Sequence, residues 1–212
     1  MNIYLKTLIQ RLFLLVFGVT LIGFSVFLLR LANFGTDSFT TMNLGISYFL
    51  GASFGNLQLV VNAILLIIVG IINKKFIGIG TIANMVLVGY ISDFFLWLFL
   101  TYSLTPLHLL VRVILLIWGV ILAGAGVAMY MHSETGTGPY DALPVIIENK
   151  TNKRVSFQVG RVFLDLFAVI IGFMFGATIG IGTILTAFFM GPIIQYFRKF
   201  LKKLFVLTVV PT

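Results

Sequence analysis

The chain has 212 residues, of which 60% are apolar and 9% charged, and its mean hydropathy is +1.13. This composition excludes an ordinary soluble domain and predicts an all-α polytopic membrane protein, because apolar windows of about 20 residues recur without the alternating polarity of a membrane β-barrel. There is no Cys and there are only two His, so no metal site, cofactor or catalytic residue is expected.

Hydropathy divides the chain into two similar series of helices. The first series is predicted as a span at Arg11–Leu31, a short helix at Ser38–Leu50, and spans at Ser53–Asn73 and Gly80–Leu100. The second series is predicted as a span at Leu109–Met131, a short helix at Pro139–Asn149, and spans at Ser156–Phe175 and Gly182–Phe200. Each short helix is about half as long as a membrane crossing requires.

Both short helices start with residues suited to a helix N-terminus, in "GTDS" and "GTGP". Such an end offers unpaired N–H groups and the positive end of the helix dipole, which favour a carboxylate or another anion. Helices lying flat on the membrane surface would use similar caps, but the broken-helix interpretation is preferred. The broken-helix interpretation predicts that the residues at these two helix ends bind a ligand. They are Gly35, Thr36, Asp37, Ser38, Gly136, Thr137 and Gly138.

The two halves of the chain are copies of each other. Offsets of 101 to 103 align Arg11 with Arg112, Gly35 with Gly136, Thr36 with Thr137 and Ser53 with Ser156. The hexamer "IGIGTI" at Ile77 recurs letter for letter at Ile179. The sequence therefore predicts a first repeat at residues 1–105 and a second at 106–212, which together form one membrane domain of six spans.

Three spans in each repeat require the second repeat to enter the membrane from the opposite side, so the repeats are predicted to be inverted. Basic residues collect on the cytoplasmic side of membrane proteins. With both termini cytoplasmic, the outer side keeps only Arg30 and Arg112 of the 14 basic residues, and Arg161 lies inside a span. Orientation and anionic lipid headgroups then explain the net charge of +8 without nucleic acid.

Polar residues recur at equivalent depths in the two repeats. Arg161 and Asp165 are four residues apart on one helical face, and their counterparts Gln58 and Asn62 keep that spacing. Polar groups in hydrocarbon normally face a partner or a water-filled cavity. We expect Arg161 to bind an anionic group, and Asp165 to orient Arg161, carry a coupling proton or bind a cationic group. The alternative is that both pairs only hold helices together.

Other matched residues have weaker interpretations. Asn84 and Thr186 follow "IGIGT" in the two repeats and are further candidates for lining the cavity, although this motif also suits a plain helix start. Asp93 and Gln195 match as well, but they fall near helix ends and are predicted to be solvated. Glycine-rich faces predict close helix packing and would also suit a homodimer; they include Gly124, Gly126, Gly172, Gly176 and Gly180.

Four motifs carry a family resemblance: "FGTDSFTTMNLGIS", "FGNLQLVVN", "GTGPYDAL" and "IGIGTI". They resemble the YitT/YczE-like family of bacterial integral membrane proteins, with the YczE-like branch the most similar, and the resemblance covers most of the chain. It implies a multi-pass protein of the bacterial plasma membrane and little about chemistry.

Inverted repeats with broken helices are typical of secondary transporters, which bind solutes near the bilayer midplane. The sequence therefore predicts a secondary transporter or permease for a small polar solute, anionic or zwitterionic, bound between the repeats. A channel is a variant of this hypothesis. The alternative is a non-catalytic scaffold or regulatory subunit that acts through a partner protein. An enzyme is not expected, because no paired-His, Cys or Ser–His arrangement is evident.

Overall fold

The computed structural model describes residues 3–102 and 107–205, with side chains from residue 7 onward except at position 158. These residues form eight α-helices and one 3-10 turn and contain no strand, which confirms the all-α class. The helices are α1 Ile3–Ala32, α2 Ser38–Leu50, α3 Phe54–Ile72, α4 Ile79–Tyr102, α5 Leu109–His132, α6 Pro139–Lys150, α7 Phe157–Met174 and α8 Ile181–Leu204. The predicted repeat boundary after residue 105 lies outside the described residues.

Four helices within the described ranges are long and apolar enough to cross a membrane, judged by length and composition. They are α1 from Thr7 onward, α3, α4 and α5. They coincide with the first four predicted spans. The helices α7 and α8 form where the fifth and sixth spans were expected but are not among these four, so a six-span arrangement stays a prediction.

The short helices have the predicted positions. The helix α2 has the expected bounds, and α6 ends one residue later, at Lys150. The Asp37 side chain caps α2 by accepting a hydrogen bond from the Thr40 N–H at 3.1 Å. Pro139 begins α6, at a position where its missing N–H costs nothing. Neither helix is long enough for hydrocarbon about 30 Å thick.

The short helices pack against helices of both halves of the chain. The helix α1 packs against α5, and each of the two also packs against the last long helix of its own half, α4 or α8. The helices α2 and α6 each pack against both α3 and α7. Each short helix therefore contacts one helix of its own half and one of the other half.

The breaks before α2 and α6 are held by the opposite half of the chain. The Gly182 N–H donates to the Phe34 carbonyl at 2.7 Å, and the Gly80 N–H donates to the Thr135 carbonyl at 2.9 Å. Within these breaks Gly35 and Gly136 have positive φ angles of 91° and 125°, which favour glycine. The start of α8 thus supports α2, and the start of α4 supports α6.

The crossing of α2 and α7 brings two backbones into contact. A Cβ atom added at Gly172 would lie 2.6 Å from the Thr41 carbonyl oxygen, and one at Gly45 would overlap the Gly172 carbonyl. At the equivalent crossing of α6 and α3 the contact is made by side chains instead, from Val69, Ala142 and Ile146. Small residues therefore allow α2 to approach α7 very closely.

Most of the other predicted packing glycines also contact helices of the same chain. Cβ atoms added at Gly124, Gly126 and Gly180 would meet Ile193, Gly18 and Phe34 respectively, whereas one at Gly176 would meet open space. These glycines therefore serve packing within one chain. The homodimer stays a prediction from the sequence.

Candidate functional site

The first turns of the two short helices meet at an aromatic pair. The rings of Phe39 in α2 and Tyr140 in α6 stack with centroids 4.6 Å apart and planes inclined by 27°. The two residues are equivalent at the repeat offset of 101. The pair was not predicted, although an aromatic residue at the same place in both short helices was a visible signal.

Beside this pair, Arg161 of α7 pairs with two carboxylates, Asp165 of its own helix and Asp141 of α6. Its Nε donates to Asp165 at 3.0 Å and its Nη1 to Asp141 at 2.5 Å. The Tyr140 hydroxyl donates to the other oxygen of Asp165 at 2.7 Å, and the guanidinium lies 5.1 Å from the Tyr140 ring centroid. The i, i+4 contact expected between Arg161 and Asp165 is present, whereas Tyr140 and Asp141 were missed.

The charges of this cluster are not balanced. One guanidinium, that of Arg161, is paired with two carboxylates, those of Asp141 and Asp165. The side chains of Arg161, Asp141 and Asp165 are 33%, 46% and 24% exposed, and the cluster is therefore not sealed. A net negative, partly open site attracts cationic groups.

The N-terminus of α6 adjoins the same cluster. Unlike Asp37 at α2, Gly138 provides no side-chain cap. A Cβ atom added at Gly138 would lie 3.2 Å from Asp141 Oδ2 and 3.7 Å from Asn84 Oδ1. The Thr81 hydroxyl donates to the Thr137 carbonyl at 2.9 Å, which fixes the chain just before the helix. The structure thus brings Asn84, Thr137 and Gly138 together with the ionic cluster.

The other predicted residues around the helix starts make local contacts. The hydroxyls of Thr36 and Thr41 lie 3.0 Å apart, and Ser38 is buried. The Thr186 hydroxyl donates to the Thr183 carbonyl of its own helix at 3.0 Å. Gly35 and Gly136 contact the starts of α8 and α4. These contacts stabilise the helix breaks.

The polar pair on α3, Gln58 and Asn62, is buried. Gln58 and Asn62 are 4% and 2% exposed, and Gln58 Oε1 and Asn62 Nδ2 have no hydrogen-bond partner within the described ranges. No hydrogen bond or ion pair between described residues joins them to Arg161 or Asp165. The shared polar face of the two pairs therefore stays a prediction.

The prediction that Asp93 is solvated at a helix end is wrong. Its carboxylate accepts hydrogen bonds from Arg30 Nη1 at 2.7 Å and from the Gly55 N–H at 2.6 Å. Arg30 also donates to the Ser92 hydroxyl at 2.9 Å. Asp93 therefore joins α1, α3 and α4, because α4 continues to Tyr102 and the start of α3 packs beside the middle of α4.

Two open grooves on the surface are apolar. One is lined by Ile121, Pro192, Ile193, Tyr196 and Phe197. The other is lined by Ile9, Leu12, Phe13, Val16, Phe17 and Thr20. Neither includes a residue of the charged cluster.

Comparison with known proteins places the chain among uncharacterised proteins, one of which is named as a membrane protein. It is 26% identical over 191 residues to an uncharacterised protein of Haemophilus influenzae, which covers 90% of this chain and 84% of that protein. It is also 26% identical over 195 residues to the uncharacterised protein YyaS of Bacillus subtilis, covering 89% and 92% of the two chains. The uncharacterised membrane protein YczE of Bacillus subtilis is 30% identical over 146 residues, which are 69% of this chain and 65% of YczE.

No solved structure matches the chain. Residues 9–199 match the profile of a family of unknown function, DUF6198. Together with its apolar helices, these relatives identify the chain as a helical membrane protein and confirm the resemblance to YczE-like proteins. The chain belongs to the family of unknown function DUF6198.

Proposed function

We propose that the protein is a secondary transporter or permease that binds a small polar solute where the first turns of α2 and α6 meet. In this proposal six spans form two inverted repeats, with both termini on the cytoplasmic side of a bacterial plasma membrane. The observation that carries it is the stack of Phe39 on Tyr140 beside the ionic cluster of Arg161. Broken helices that meet beside charged side chains are typical of transporter binding sites.

The contacts between the halves support a two-fold relation. Gly182 bonds to the break before α2, and its equivalent Gly80 bonds to the break before α6. Two equivalent residues can stack on each other only close to the axis that relates them, as Phe39 and Tyr140 do. Such an axis would pass through the junction of the short helices and place the charged cluster beside it.

A difference between the halves supports a moving carrier over a rigid scaffold. The helices α3 and α4 pack tightly, because a Cβ atom on Gly89 would lie 2.7 Å from the Gly55 Cα atom. Between the equivalent helices α7 and α8 the described residues form no comparable interface, and a Cβ atom on Gly191 would meet open space. Carriers built from inverted repeats alternate by exchanging such closed and open interfaces.

The pairing of Arg161 favours a zwitterionic solute over a purely anionic one. Its Nε and Nη1 atoms are occupied by Asp165 and Asp141, while Nη2 has no partner among the described residues and could bind an anionic group. A solute with only negative charge would be repelled by the surrounding carboxylates. A solute that also carries a positive group would interact favourably with them.

Counterflow in liposomes tests the proposal. The purified full-length protein would be reconstituted, and the exchange of radiolabelled glycine and other small zwitterions would be measured. We expect exchange by the unmodified protein and its loss in Arg161→Gln, with the exposed loop variant Arg154→Gln as the matched basic-residue control. Absence of exchange for every small zwitterion, amine and organic anion tried would favour the scaffold alternative.

A further inference from the structure

One ion pair holds the start of α3 beside α4, and the second half of the chain has no equivalent of it. We propose that Arg30 and Asp93 form an ionic lock that keeps the α3–α4 interface closed and that opens when α7 closes on α8, an inference that rests on the proposed transport function. The lock would control which side of the solute site is open.

The lock connects charged side chains of α1 and α4 to the first turn of α3. Arg30 Nη1 lies 2.7 Å from Asp93 Oδ1, and the two side chains are only 10% and 23% exposed. Asp93 Oδ2 accepts a hydrogen bond from the Gly55 N–H at 2.6 Å, and the Arg30 guanidinium lies 4.8 Å from the centroid of the Phe54 ring. Moving α3 away from α4 would therefore take both of these contacts from the charged pair.

The equivalent positions of the second half cannot form this ion pair. The repeat aligns Arg30 with Met131 and Asp93 with Gln195, so neither a guanidinium nor a carboxylate is present at those positions. Hydrogen bonds that involve a charged group are roughly twice as strong as neutral ones. A closed α7–α8 interface would lack such bonds, so the two interfaces are held with unequal strength.

A second polar contact shows the same difference between the halves. The Tyr90 hydroxyl donates to Asn56 Oδ1 at 2.8 Å and connects α4 to α3. The equivalent residues of α8 and α7 are Pro192 and Val159, and both are exposed, Val159 at 60%. In the proposed topology this arrangement is closed to the outside and open to the cytoplasm, and the lock lies on the closed side.

Cysteine cross-linking of the purified full-length protein tests the lock, because the chain has no Cys of its own. One double variant carries Asn56→Cys with Tyr90→Cys, and the other carries Val159→Cys with Pro192→Cys. A short bifunctional thiosulfonate would be added, and the mass of the intact protein would distinguish one bridge from two separate modifications. We expect the α3–α4 pair to be bridged and the α7–α8 pair to be mostly unbridged.

Adding Asp93→Asn to each double variant should open the lock. We expect bridging of the α7–α8 pair to rise about tenfold and bridging of the α3–α4 pair to fall, because one state gains population as the other loses it. Glu134→Gln is the matched control: it removes a carboxylate that pairs with Arg11 elsewhere, and it should leave both yields unchanged. Met131→Arg with Gln195→Asp supplies the missing pair and should also raise bridging of the α7–α8 pair.

A fall in α3–α4 bridging without a rise in α7–α8 bridging would show that the ion pair only stabilises packing, and would overturn the inference. Equal effects of Asp93→Asn and Glu134→Gln would overturn it as well. Where Asp93→Asn does not fold, unchanged α7–α8 bridging in the variant with Met131→Arg and Gln195→Asp would do so instead.

The same measurements separate the lock from the transport proposal. Exchange of labelled zwitterions by the unmodified protein, with bridging unaffected by Asp93→Asn, would retain transport and contradict the lock. The expected changes in bridging without exchange of any solute would retain the lock and contradict transport.

Discussion

Arg161 and Asp141 form an ion pair between α7 and α6, in addition to the contact of Arg161 with Asp165 on its own helix. The guanidinium therefore neutralises carboxylates from two elements. Replacing Arg161 leaves both of them without their cationic partner.

Arg161→Gln should lower the free energy of unfolding by about 2 kcal/mol, less than in a sealed site because the side chains are partly exposed. The double variant with Asp165→Asn should recover only part of this loss, because Asp141 stays unpaired. The triple variant with Asp141→Asn as well should recover most of it. Thermal unfolding in detergent provides the measurement, and full recovery by the double variant would show that the Asp141 pair contributes nothing.

Asp93→Asn should destabilise the packing of α3 against α4. The substitution removes the charge that accepts hydrogen bonds from Arg30 and from the Gly55 N–H, at an expected cost of about 2 kcal/mol. Glu134→Gln removes an ion pair with Arg11. Because the Glu134 side chain is 62% exposed, the substitution should lower the free energy of unfolding by less than about 0.5 kcal/mol. Equal unfolding temperatures for the two variants would contradict the role assigned to Asp93.

Gly172→Leu should prevent α2 from packing against α7. Its side chain would overlap the Thr41 backbone, which we expect to cost about 3 kcal/mol. Gly191→Leu introduces the same side chain at an open position of α8 and should change stability by less than about 0.5 kcal/mol. Melting curves of the two variants in the same detergent test this prediction, and similar melting temperatures would argue against the observed crossing.

The proposed topology makes a prediction for single cysteines, which the natural absence of Cys makes simple to test. Lys75→Cys and Lys153→Cys should be protected from an impermeant thiol reagent added outside intact cells. His108→Cys and Thr178→Cys should be labelled, the latter only if α7 and α8 both cross the membrane. Labelling at Lys75, or protection at Thr178, would contradict the six-span arrangement.

The positions of the short helices were predictable because the residues that define them are close together in the sequence. The cap at Asp37, the proline at Pro139 and the small number of apolar residues before the next loop define both helices within a residue. The contact of Arg161 with Asp165 was predictable for the same reason, because a spacing of four places both side chains on one face.

The remaining site contacts were not predictable because they depend on tertiary packing. Asp141 meets Arg161 only because α6 packs on α7, and Asp93 meets Arg30 and Gly55 across three helices. The role of Gln58 in a shared site stays a prediction, because the hydrogen bonds of Arg161 between described residues go to Asp165 and Asp141. The stacking of Phe39 on Tyr140 likewise depends on how α2 and α6 meet.

The hydrogen bonds between the halves have a consequence for biosynthesis. The Phe34 carbonyl receives its partner, the Gly182 N–H, only after nearly the whole chain has left the ribosome. The Gly80 N–H likewise finds its acceptor, the Thr135 carbonyl, only after the start of the second half has been synthesised. The first half can therefore enter the membrane early but cannot complete its own helix break, so α2 would reach its final position late, when the second half arrives.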